Sequence, residues 1–103
     1  MNAVLERPTT SPYSAKNMAK PFNFYYARPE ARSVYLVGDF NDWNSNSLPM
    51  QRRVDGWWFI QVSLTHGHHH YLFLVDGTPT LDPKATGTVQ ADQYGKASMV
   101  AVS

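Results

Sequence analysis

Three short apolar runs, each bounded by turn residues, constrain this chain more than anything else in it. Between Ser33 and Asp82 the sequence reads SVYLVGDFNDWNSNSLPMQRRVDGWWFIQVSLTHGHHHYLFLVDGTPTLD. Val34–Val37, Trp57–Leu64 and Tyr71–Val75 are the runs. Gly38-Asp39 with Asn41-Asp42, Asp55-Gly56, Gly67 and Asp76-Gly77 are the breaks. β-branched and aromatic runs of this length, separated by tight-turn pairs, specify antiparallel strands.

The periodicity assigns faces. In WWFIQVSL, Trp58, Ile60, Val62 and Leu64 alternate with Trp57, Phe59, Gln61 and Ser63, and the first set is expected to face the core. Trp57, beside the turn, is expected to be partly exposed. Phe22, Phe24 and Tyr26 alternate in KPFNFYYARP, which predicts a first strand ended by Pro29 and Glu30. Val34–Val37 is apolar on both faces, as in a strand covered by two layers. Leu48-Pro49-Met50 re-enters the sheet, with Pro49 confined to an edge or strand start. Thr78–Leu81 is a short returning strand, Asp82-Pro83 opens a loop through Gln90, and Tyr94–Val102 is the last strand. About seven short strands make an all-β, immunoglobulin-like sandwich. Residues 1–19 carry Pro8, Pro12 and several Ser and Thr without periodicity, and are expected to form a flexible tail ahead of a module spanning 20–103.

Composition excludes several function classes. A chain of 103 residues holds one domain with a modest core and is too short for a catalytic barrel. Nine basic and eight acidic side chains give a net charge of +1, with no electrostatic footprint for nucleic acid. No apolar stretch is long enough to span a membrane, and the N-terminus lacks the pattern of a secretory signal. There is no cysteine, hence no disulfide framework and no thiolate chemistry. These features fit a cytoplasmic protein.

Candidate chemistry narrows in the same way. His66, His68, His69 and His70 crowd one segment, and His68 and His70 would share a strand face. A structural zinc site takes four ligands, and neither cysteine nor a carboxylate between Val62 and Leu74 completes one. No metal site and no cofactor is expected. Asp39, Asp42, Asp76 and Asp82 all sit at turns, where Asp shapes backbone, so no catalytic carboxylate pair is expected. Nucleophile-elbow and phosphate-loop motifs are missing, and the chain is read as non-catalytic. What remains is aromatic residues at turns. A sugar ring offers an apolar C–H face to an indole or phenol and a hydroxyl rim to polar side chains. Trp43, in NDWNSN, has both kinds of neighbour. The sequence accommodates both a platform and a cap on the sandwich.

At these residues the chain resembles carbohydrate-binding module family 48, which includes the glycogen-binding domain of the AMP-activated kinase beta subunit and the early-set domains of glycogen branching and debranching enzymes. The resemblance runs from about Lys20 to Val102. It is carried by Val34–Trp43, the Leu48-Pro49 step, Gly67 leading to Tyr71–Gly77, and Asp82-Pro83. It implies an early-set sandwich that binds α-1,4-linked glucan such as glycogen or starch. It also implies a partner that is a glucan-metabolising enzyme or a kinase-like complex. Trp43 stands at one of the family's two stacking tryptophans. The other position is Pro79, beside Thr78, and the family's lysine position is Leu72. Tyr94, Lys96 and Ser98 fall at the family's last-strand contacts. The expected sugar-binding set is therefore Trp43, Asn41, Tyr94, Lys96, Ser98 and Thr78. The alternative is an interaction or scaffold domain of glucan metabolism whose sugar site has decayed.

Overall fold

The computed structural model describes residues 19–91 and 93–103; most of the expected flexible tail lies outside them. Eight strands are present among these residues: β1 Lys20–Ala27, β2 Val34–Gly38, β3 Gln51–Arg52, β4 Trp57–Leu64, β5 Gly67–Val75, β6 Thr78–Thr80, β7 Gly87–Ala91 and β8 Gly95–Val102. All pair antiparallel, in two sheets. One is ordered β1-β4-β3, the other β2-β5-β8-β7, with β6 joining β5 beside β8. The expected all-β sandwich is the observed architecture.

The two inner faces meet in an aromatic core. Phe24 packs edge-on to Tyr71 with ring centroids 4.9 Å apart, and Tyr26 lies 4.9 Å from Phe73. Trp58 and Leu64 are buried, and Ile60 and Val62 are partly buried against the same core, as the alternation in β4 requires. Asp76 and Gly77 take φ of 50° and 84°, the two successive positive values that a tight two-residue hairpin needs. The Asp76 carboxylate also accepts from the backbone N–H groups of Arg32 and Ser33, at 2.8 and 2.9 Å, and so fixes the entry to β2.

One segment departs from the sequence reading. The expected loop through Gln90 contains β7, which pairs with β8 from Gly87 opposite Met99 to Ala91 opposite Gly95. The Leu48–Met50 step lies along β2 through a bridge between Tyr35 and Pro49, then passes to the other sheet as β3. The two-sided burial of β2 extends to β5. Leu36 and Phe73 face the core, while Val37, Leu72 and Leu74 form a second cluster on the outside, covered by Tyr35, Trp43 and Tyr94. The second covering layer is a pair of loops.

Candidate functional site

The loop that carries Trp43 is held from within. Gly38 ends β2 at extended backbone angles, and a Cβ there would come within 2.5 Å of the Phe40 ring and 2.7 Å of the His70 carbonyl oxygen. Close approach, not dihedral freedom, requires glycine. After the turn of 3-10 helix at Asp39–Asn41, the Asn41 side chain accepts from Gly38 N–H at 3.0 Å. It donates to the Asn44 carbonyl at 3.1 Å and to Ser47 Oγ at 2.9 Å. Asp42 and Trp43 both take left-handed angles, φ 56° and 57°, and Trp43 N–H donates to the Gly38 carbonyl at 2.9 Å. A bulky residue in that region costs roughly 1–2 kcal/mol. The hydrogen-bonded bend holds it there.

This turn lays Trp43 over the outside of the five-stranded sheet, half-buried on Val37, Leu72 and Leu74. Tyr94, from the turn before β8, lies beside it with centroids 6.1 Å apart and planes tilted 44°. A recess of about 340 Å³ opens next to Trp43, lined by Asp39, His70, Gln90, Ala91 and Gln93. Another of about 410 Å³ lies along Tyr94, Tyr35, Leu74 and Gly77. The arrangement is a tilted aromatic pair over an apolar floor, with polar troughs beside it. Asp39 also ties the loop to β5: its carboxylate accepts from His70 N–H at 3.0 Å and lies 3.5 Å from His69 Nδ1.

The structure separates the six expected contact residues. Trp43 and Tyr94 come together. Asn41 is adjacent, and both its amide hydrogens are engaged inside the bend. Ser98 is fully enclosed; its Oγ accepts from Asp82 N–H at 2.8 Å. It pairs with Tyr71 on the core side, so it is out of reach of any ligand on Trp43. Lys96 is exposed near the start of β8, in register with Gln90, which lines the recess beside Trp43. Thr78 is exposed opposite Val75, again on the core side, at the sheet edge. The placements of Ser98 and Thr78 have one cause: an alignment without register leaves the face undetermined, and a shift of one residue reverses it. Gln90, Gln93, His70 and Asp39 were missed as trough residues. Gln90 was hidden because β7 was read as loop; the alternation in Gly87–Ala91 was the available signal.

The same side-chain logic anchors the reverse side. Tyr71 is buried, and its hydroxyl donates to Asp82 Oδ2 at 2.6 Å. Burial first, then the hydrogen bond and the negative charge of Asp82, push the phenol's ionisation far above its ordinary value of 10. Among the described residues no three His, Cys, Asp or Glu side chains converge as metal ligands, and no helix is long and apolar enough to cross a membrane.

Residues 20–102 match the family described as the glycogen recognition site of AMP-activated protein kinase. Relatives are similar over shorter stretches. The 1,4-alpha-glucan branching enzyme GlgB of Lactobacillus acidophilus is 44% identical over 69 residues, 62% of this chain and 11% of that enzyme. The GlgB of Bradyrhizobium sp. (strain ORS 278) is 39% identical over 54 residues, 52% of this chain and 8% of the enzyme. The 1,4-alpha-glucan-branching enzyme of Dictyostelium discoideum is 56% identical over 34 residues, 33% of this chain and 5% of the enzyme. The match thus spans about a tenth or less of each relative's length.

Proposed function

Because the chain belongs to the family of the glycogen recognition site of AMP-activated protein kinase, a carbohydrate-binding module family, we propose that it holds α-1,4-linked glucan on the tilted Trp43–Tyr94 pair. The observation that carries this reading is the placement of Trp43. It is held at an unfavourable backbone angle, packed from below on Leu72 and Leu74, and flanked by a trough with Gln90, Gln93, His70 and Asp39. Stacking on the rings and hydrogen bonds from the trough suit the two kinds of sugar surface.

Leu72, at the family's lysine position, is only 1% exposed. It is floor for the aromatic pair and not a rim residue. With one tryptophan and no second one at Pro79, affinity is expected between ~10 μM and ~1 mM. The module itself contributes adhesion and no chemistry. Its partner is the glucan and, by the relatives' names, an enzyme that acts on such a polymer.

Retardation in a native gel containing glycogen tests the site. Trp43→Ala should remove most of the retardation while the protein stays folded. Undiminished retardation of a folded Trp43→Ala protein would overturn the placement of the site.

A further inference from the structure

The outward face of the three-stranded sheet carries a second aromatic strip that the core does not require. Tyr25 on β1 is in register with Phe59 on β4, and their rings lie 5.2 Å apart at 41°. Trp57 continues the strip, with the Lys84 ammonium 4.3 Å from its ring. Tyr25 is 37% exposed, and Phe59 and Trp57 are partly exposed. Beside Phe59 is a recess of about 280 Å³ lined by Pro49, Gln51, Phe59, Ile60 and Gln61. Gln51 is in register with Phe59 across β3, and Gln61 follows two residues on along the same face. Gln61 Nε2 donates to Asn23 Oδ1 at 3.0 Å, which leaves the Gln61 carbonyl oxygen and the Asn23 amide hydrogens for another partner.

Charge complementarity selects the occupant. Among the described residues, the middle of this face holds aromatic rings and neutral amides. Among the described residues, the charges near its margins include Lys84 over Trp57 and the Arg53–Asp55 pair, 3.2 Å apart. A neutral polyhydroxyl chain matches such a strip: rings to its C–H faces, amides to its hydroxyls.

We propose that this face is a second α-glucan site, with Phe59 and Tyr25 as the stacking pair and Gln51, Gln61 and Asn23 as the hydrogen-bonding groups. It rests on the same ligand reading but not on the Trp43 site. Two sites on opposite faces engage separate outer chains of one branched polymer, so the polymer is held more tightly than an oligosaccharide, by effective concentration.

An NMR titration with maltoheptaose, following backbone amides and tryptophan indoles, tests this. Amides of Gln51, Phe59 and Gln61 should shift in the wild type and still shift in Trp43→Ala. In Phe59→Ala those shifts should vanish while the Trp43 indole still responds. Should Phe59→Ala fail to fold, the double variant Gln51→Ala/Gln61→Ala, which leaves the core untouched, should weaken the same shifts. In a glycogen gel, removing either site should lower retention by at least roughly tenfold. Silence at Phe59 and Gln61 when the Trp43 indole is saturated would overturn the proposal, as would loss of their shifts in Trp43→Ala. Shifts that follow protein concentration without sugar, with a dimer in sedimentation, would make the face a self-association surface instead. A silent Trp43 indole with responding Phe59 amides would overturn the Trp43 reading and leave this one standing.

Discussion

Asn41 and Tyr71 show how a single side chain sets what this surface can do. All of Asn41's donors are engaged in the bend, and its carbonyl holds Gly38 N–H. Asn41→Ala should therefore lower stability by about 1–3 kcal/mol, through polar groups left unsatisfied in a half-buried turn. It should also weaken glycogen retention, because Trp43 loses its brace. A rim residue would lose retention alone, so thermal melts beside gels separate the roles. Tyr71 supplies a pH dependence. Its phenol ionises near 10 in the unfolded chain and well above that in the fold. Above pH 10 the unfolded chain has released a proton that the folded chain keeps. The stability from this group is thus full below pH 10 and falls as pH rises, by about 1.4 kcal/mol per unit. Urea melts of the wild type should show this alkaline loss, and Tyr71→Phe should be less stable at pH 7 but flatter above 10. Equal alkaline slopes in the two proteins would mean that Tyr71 is not the titrating group.

At the scale of the element, strands and hairpins were legible where two signals agreed. β4 and β5 have alternation or continuous apolar runs, with Asx-Gly turns at their ends, and both formed as read. β7 had a single weak signal. Only five residues long, it pairs along one edge with β8 and is preceded by Pro83 and Thr86, so its pairing is visible only once β8 is in place. The face of a residue was not legible without register either, which is why Ser98 and Thr78 fell on the core side. Register clarifies Pro79 in the same way. It lies opposite Leu74 on β6, on the face that carries Leu72 and Trp43, and it is exposed. Pro79→Trp should place a second ring on the glucan face. One good stacking contact is worth about 1 kcal/mol, so affinity for maltoheptaose should rise by up to roughly tenfold. Unchanged affinity in a folded Pro79→Trp protein would show that glucan does not extend past Leu74.

For the whole molecule, the two sheets close on each other between Lys20 and Val102, the same residues that match the family. The two ends of that span meet: Lys20 Nζ donates to the Ser103 carbonyl at 2.9 Å, and Lys20 pairs with Leu64 in the ladder of β1 and β4. Among the described residues, those of the core cluster, of the Trp43 face and of the Phe59 face fall inside 20–103. We therefore expect a chain that starts at Lys20 to be a complete binding unit. In a domain of this size, 1 kcal/mol corresponds to a shift of roughly 4–8 °C in melting temperature. The shortened chain should melt within about 4 °C of the full one and show the same glycogen retardation, since none of its proposed contacts is removed. A larger drop in Tm would assign residues 1–19 a share of the fold. A weaker retardation at unchanged Tm would assign them a share of the glucan contact, and the module boundary at residue 20 would then have to move.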